Sequence, residues 1–253
     1  MNKDHLISYL AKGIRYDGRK LNEYRDIKII YDVSKSAEGS AQVSFGDTTV
    51  MAGVKMAVQK PYDDTPDDGT LMVNAELLPL SSSDFETGPP GIYAVELARV
   101  VDRGIRESHA IDTHKLCITK GEAVWSVSID VCSINSNGGL IDASSLVALA
   151  ALKDARMPLY KDKVVDYGTK TKESVPIAKE PIAVTVFKID KYLIVDPIPE
   201  EEQFADARLT ITVTKDNIIC SLQKGGAASL TSDEIDSMVA LAIEKAPELR
   251  SKL

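Results

Sequence analysis

Cysteine, histidine and long apolar runs are all scarce in this chain, and each shortage excludes something. Three cysteines in 253 residues (Cys117, Cys132 and Cys220) form no CxxC pair and are odd in number, so no disulfide framework is legible. With only His5, His109 and His114 to join them, a zinc centre has no ligand set. Cys117 and Cys132 stand in apolar, strand-like segments and read as core thiols, which fits a reducing, cytoplasmic setting. No run approaches the ~20 apolar residues of a membrane span. The N-terminus alternates apolar with polar residues and is no signal peptide; it reads as a short amphipathic helix with Ile7, Leu10 and Ala11 inward and Gly13 as its stop. Positive charge is the minority sign, with 30 Lys and Arg against 38 Asp and Glu and a net charge of -8. Any nucleic-acid contact must therefore come from a local patch or a partner. There is no Walker A loop, no nucleophile elbow and no GxGxxG after a strand.

What is present is an ordinary globular composition, 44% hydrophobic and 27% charged, long enough for one large domain or two moderate ones. The most informative segment is residues 96–107, ELARVVDRGIRE. At 100° per residue Arg99, Arg103 and Arg106 fall in one ~60° sector of a helix, with Leu97, Val101, Gly104 and Ile105 opposite. Such a row suits phosphate oxygens, because each guanidinium makes bidentate charge-assisted bonds. A solvated face paired with Glu96, Asp102 and Glu107 is the other reading of the same spacing.

Alternating apolar residues mark a hairpin, with Ala41, Val43 and Phe45 before a Gly46-Asp47 turn and Val50, Ala52, Val54 and Met56 after it. Further strands are expected at 27–33, 71–80 and 116–134, and a helix rich in small residues at 141–155. The aspartate-rich loop 61–69 does not fit a calcium loop and reads as solvated, with adventitious metal binding as the alternative. Residues 159–180 are lysine-rich and interrupted by proline, and read as a strandless linker between units at 1–158 and 181–253. The second half has strands at 182–189, 192–195, 209–214 and 218–222, then a helix opening on the capping box Thr231-Ser232-Asp233-Glu234. Ile235, Met238, Val239, Ala242 and Ile243 form its apolar face. The fold class is α+β, two pseudo-repeated units that each run strands first and then helix.

Several motifs together resemble the RNase PH family. Gly13-Ile14-Arg15-Tyr16-Asp17-Gly18-Arg19-Lys20 is similar to its R-x-DGR entry motif, followed by Glu38-Gly39-Ser40-Ala41 and Gly46-Asp47-Thr48. The arginine helix lies where the family keeps substrate-facing arginines, and Asp130-Val131 and Gly138-Gly139 resemble its strand and phosphate loop. Asp196-Pro197, Glu200-Glu201 and Ala205-Asp206-Ala207-Arg208 resemble in particular the non-catalytic, RNase PH-like ring subunits of the archaeal exosome. The resemblance implies a hexameric ring in which silent and catalytic subunits alternate. RNA-binding cap subunits sit on it, and single-stranded RNA is degraded 3′ to 5′ by attack of inorganic phosphate with Mg²⁺ at the catalytic subunit. No membrane is involved, and this chain holds no cofactor of its own.

Active members of the family carry a hydroxyl and an arginine just after the double glycine. With free N–H groups at a helix N-terminus, these make an anion site. Here those positions are Leu140 and Ile141, and Asp142 follows, expected to cap the free N–H groups and to repel phosphate. The chain is accordingly expected to have no catalytic and no metal-binding residues, with Arg99, Arg103 and Arg106 holding RNA. Asp196, Glu200, Glu201, Glu202 and Asp206 match the segment where active members place metal-binding carboxylates, and also read as a solvated acidic loop. An active phosphate-dependent exoribonuclease is the alternative function, and a small-molecule kinase on a related fold a more distant one.

Overall fold

The computed structural model describes residues 2–253, the side chains of residues 169 and 170 apart. The first half runs α1 (Lys3–Leu10), β1 (Ile27–Tyr31), β2 (Gly39–Phe45), β3 (Thr48–Gln59), β4 (Thr70–Leu77), α2 (Ile92–Glu107), a 3-10 turn (Thr113–Leu116), β5 (Cys117–Thr119), β6 (Ala123–Asn135) and α3 (Leu140–Asp154). A hairpin of β7 (Arg156–Lys161) and β8 (Val164–Ser174) follows. The second half is β9 (Ile182–Ile189), β10 (Tyr192–Val195), one helical turn α4 (Pro199–Glu202), β11 (Ala207–Val213), β12 (Ile219–Gly225) and α5 (Ser232–Arg250).

The first sheet has the order β1-β2-β3-β6-β4, with β5 joined to β6; the second is β10-β9-β11-β12. The β2–β3 alternation holds: every apolar residue expected inward there is buried. The pairing turns at Gly46-Asp47, with Gly46 at φ +54°. β4 lies parallel to β6, so α2 is a crossover between them. The first unit is therefore not strands first and then helix, as its sequence implied; only the second follows that order.

α2 and α3 pack between the two sheets, touching β4 and β12, and β2, β3 and β9, respectively, while α5 covers β9 and β11. This is why α3 carries small residues: with Ala143, Ala148, Ala150 and Ala151 fully buried, two sheets can approach it at once. One continuous hydrophobic core crosses the halves, joining Val54, Val101, Leu146, Val184 and Met238.

Four local expectations need correction. Residues 159–180 are not strandless. β7 and β8 pair antiparallel through Asp162-Lys163, both at positive φ (51° and 64°), the backbone of a tight hairpin turn. Tyr160 stacks edge-on against Trp125 with ring centroids 5.9 Å apart, fixing the hairpin to β6. On α1 the buried residues are Leu6 and Leu10, whereas Ala11 is exposed. On α5 the expected face holds except at Ile235, which is exposed: Met238 and Ala242 are buried, Val239 and Ile243 pack on the core partly buried, and the stripe runs on to Ala246 and Leu249; the Thr231–Glu234 capping box is present. Cys117 and Cys132 are half-buried rather than core; Cys132 alternates away from the buried face of β6, and Cys117 stands on the short β5, none of whose residues is buried. No helix among the described residues is long and apolar enough to cross a membrane.

Candidate functional site

The loop that opens α3 is held by a cluster of arginines around one carboxylate. Asp196, 1% exposed and at φ +47°, follows β10. Arg25 donates to it from Nη2 (2.6 Å to Oδ1) and Nε (3.0 Å to Oδ2), and its backbone N–H adds a third bond at 2.8 Å. Arg19 Nη1 donates to Oδ2 at 2.9 Å. Arg25 then reaches past Asp196 to the carbonyls of Asn137 (2.6 Å) and Gly138 (2.9 Å). Thr48 Oγ1 also donates to the Gly138 carbonyl, at 2.7 Å. Beside this cluster, Arg15 is buried against Glu201 and donates to the carbonyls of Val195 and Asp196, each at 2.8 Å. The double glycine is required sterically: a Cβ at Gly138 would stand 2.1 Å from the Pro197 oxygen, and one at Gly139 2.6 Å from Asp196 Oδ1. Entry motif, phosphate-like loop and second-half acidic segment thus form one unit. Their partners lie up to 186 residues apart in sequence, so no local spacing shows the pairing.

Of the five carboxylates in the acidic segment Glu200 alone is exposed, so the segment is not the solvated loop its composition suggests. Asp196 and Glu201 are buried on arginines, Asp206 pairs with Lys3 and accepts the Asp190 N–H, and Glu202 accepts the Gly139 N–H. Carboxylates committed in this way do not fit a metal ion, and no step through one is derived from them. Glu202 instead puts an anion at the N-terminus of α3, where the Gly139 cap has no side-chain bond of its own. Burial raises the pKa of Glu202, against the pull of the nearby Arg208 and the Gly139 hydrogen bond.

Asp142 stands in the first turn of α3, as its place after the double glycine implied, but its carboxylate is engaged away from the free N–H groups. It is buried, its Oδ2 accepting the Thr185 N–H at 3.1 Å and the Tyr24 hydroxyl at 3.4 Å, while its Oδ1 has no partner. Burial is the main cause pushing its pKa up to about 7. It ties α3 to β9 and does not cap the helix. Leu140 and Ile141 are both buried, so these two positions offer neither hydroxyl nor guanidinium, and the Thr48 hydroxyl and Arg25 guanidinium nearby are spent on the loop carbonyls.

The arginine helix is amphipathic as expected, with Leu97, Val101, Gly104 and Ile105 buried and Arg99, Arg103 and Arg106 exposed. The three do not act alike. Arg106 is clamped by Asp102 (Nε 2.9 Å, Nη2 2.6 Å) and donates to the Leu71 carbonyl at 2.8 Å. Arg99 and Arg103 have no ion-pair partner among the described residues. Arg99 lines a cleft of about 1470 Å³ between β4, residues 78–91, α2 and the α3 loop, whose walls include Gly138, Leu140 and Glu202. Arg99 and Arg103 also line a second pocket, of about 520 Å³, between α2 and β12; Arg106 lines neither.

In the aspartate-rich loop, Asp67, Asp68 and His114 bring ligand atoms within 4.8 Å of one another. Asp67 is paired with Lys120 at 2.9 Å and Asp68 accepts from Thr113 at 2.9 Å, so protein partners already occupy the carboxylates.

Residues 23–158 match the 3′ exoribonuclease family, domain 1, and residues 179–245 match domain 2 of the same family. The chain belongs to the RNase PH family of 3′ exoribonucleases. It is 45% identical to the exosome complex component Rrp42 of Methanocella arvoryzae, over 100% of this chain and 95% of that protein. To the same component of Archaeoglobus fulgidus it is 44% identical, over 100% and 95%. It superposes on a chain of the Archaeoglobus fulgidus exosome with RNA bound to the active site with a TM-score of 0.91 and 42% identity, covering 99% of this chain and 96% of that one. A chain of an archaeal exosome core gives a TM-score of 0.87 and 41% identity, covering 99% and 95%.

Proposed function

We propose that this chain is a catalytically silent ring subunit of a phosphorolytic 3′-to-5′ exoribonuclease, the exosome. In this reading it alternates with a catalytic RNase PH-like subunit in a hexameric ring beneath RNA-binding caps. It shapes the active site of its neighbour and steadies single-stranded RNA on Arg99 and Arg103. Inorganic phosphate and Mg²⁺ act at the neighbour's site.

The observation that carries the silent reading is the state of the α3 N-terminus. Its anion position is taken by Glu202, Leu140 and Ile141 are buried, and Asp196 is spent on Arg19 and Arg25. A phosphate arriving there meets a carboxylate and lacks two charged or hydroxyl donors. Each charged hydrogen bond forgone is ~1.5–3 kcal/mol. Free guanidinium groups at Arg99 and Arg103, on a chain of net charge -8, support the RNA role.

The test is phosphate-dependent degradation of a single-stranded RNA with Mg²⁺, by this chain alone and mixed with a catalytic RNase PH-like subunit. Nucleoside diphosphate release in the mixture only is the expected result. Release by the chain alone would make it an active phosphorolytic exoribonuclease in its own right and overturn the silent reading.

A further inference from the structure

Arg208 closes the 205–208 motif, and the function above leaves it unused. It comes from β11 in the second half and lines the same 520 Å³ pocket as Arg99 and Arg103. Its Nη2 donates to Glu96 Oε2 at 2.7 Å, while its Nη1 is buried without a partner. The guanidinium lies flat on β12 because residue 225 is glycine: a Cβ there would stand 2.5 Å from Cζ and 2.6 Å from Nη1. Ser221 and Gln223 complete the polar wall, and Glu96 is the one carboxylate lining the pocket. Three guanidinium groups against Glu96, with Glu202 the next carboxylate near Arg208, leave an excess of positive charge in a concave, partly dry site. A buried donor without an acceptor is costly, and an anion in the pocket offsets that cost.

Building on the RNA-guiding reading, we infer that the third cation of the phosphate-holding row is Arg208, not Arg106, and that the pocket between α2 and β12 takes a phosphate group of single-stranded RNA. Arg106 has its charge neutralised by Asp102, whereas Arg208 keeps a free donor. Ile92, Val95 and Leu222, exposed beside the arginines, offer an apolar rest for the attached sugar and base.

The experiment measures binding of labelled oligoadenylate by anisotropy across a salt series, for the full chain alone and assembled with a catalytic subunit. Arg208→Gln is expected to weaken binding about tenfold and to make the slope of log K on log salt shallower by about 0.7, with assembly unchanged. Glu96→Gln is expected to bind RNA as tightly as the parent or tighter, since it removes the pocket's carboxylate. Equal weakening by both variants would mean a purely structural ion pair and overturn the inference. Unchanged affinity in Arg208→Gln, while Arg99→Glu with Arg103→Glu loses it, overturns the role of Arg208 and leaves the RNA reading standing. Unchanged affinity in all of them overturns both. Lost assembly with RNA affinity retained would make the pocket a protein interface, and displacement of RNA by inorganic phosphate at constant ionic strength would make it a free-phosphate site; either overturns the assignment. If Arg208→Gln fails to fold, Arg208→Lys keeps the charge beside Glu96 and removes the fork, and the same loss of affinity is expected.

Discussion

Arg25 and Asp196, 171 residues apart, meet through two guanidinium nitrogens and both carboxylate oxygens, at 2.6 Å and 3.0 Å for the shorter contacts. The pair joins the start of the first half to the end of β10. Through the carbonyls of Asn137 and Gly138 it also fixes the loop that opens α3.

Asp196→Ala leaves Arg19 and Arg25 without their anion in a nearly dry site. Breaking such a buried pair from one side costs about 3–5 kcal/mol. A urea titration is expected to show that loss, together with faster amide exchange at Gly138 and Gly139. A loss within about 0.5 kcal/mol, the range of ordinary surface changes, would mean the cluster does not hold the loop.

Asp142 gives stability a pH dependence of definite sign. Its pKa is about 7 in the fold against the ordinary 3.8, so the folded state keeps a proton that the unfolded chain has released between those values. Its contribution is whole below pH ~4 and is lost as pH rises to ~7, with a limiting slope of about 1.4 kcal/mol per pH unit. In denaturant titrations at pH 5 and pH 8, Asp142→Asn is expected to lose less stability than the parent on going to the higher pH. Parallel behaviour of the two proteins would show that Asp142 does not titrate in this window.

The arginine row should divide under mutation. Arg99→Glu with Arg103→Glu is expected to weaken RNA binding by the assembled ring by more than tenfold at low salt, since two phosphate contacts become repulsions. Arg106→Ala is expected to leave RNA affinity unchanged and to cost only the ~0.3–0.5 kcal/mol of an exposed i,i+4 pair. Equal losses from both variants would restore the row of three read from the helix periodicity.

Two glycines at positive φ separate backbone strain from crowding. Gly18, at φ +86°, has nothing within 4 Å of where a Cβ would lie, so Gly18→Ala should cost about 1 kcal/mol of strain alone. Gly139, at φ +67°, adds a clash with Asp196 and Arg25, so Gly139→Ala should cost about 3 kcal/mol or more. Equal shifts in thermal midpoint would mean that Asp196 moves aside freely.

Much of this was legible in the residues themselves. Period-2 alternation gave the inward faces of β2 and β3, and the 3.6-residue period gave the buried side of α2, because each depends only on neighbours along the chain. The capping box at Thr231 and the glycine turn at Gly46 are equally local. The hairpin at 156–174 escaped because its turn is Asp162-Lys163, lacking the usual asparagine or glycine, and its strands are lysine-rich.

Tertiary structure decided everything that depended on which charge meets which. From sequence, Glu202 and Asp142 are both acidic residues near a motif; folding brings Glu202 to the Gly139 N–H and commits the carboxylate of Asp142, in the first turn of the same helix, half-satisfied to β9. Arg106 meets Asp102, and Arg208 meets Glu96 from another element, for the same reason. A helical wheel sets Asp102 beside Arg106 as one of three acidic neighbours without choosing it, and no wheel contains a residue from another strand. Sequence patterns report burial, which repeats along the chain, whereas ion pairing between halves depends on a single three-dimensional juxtaposition.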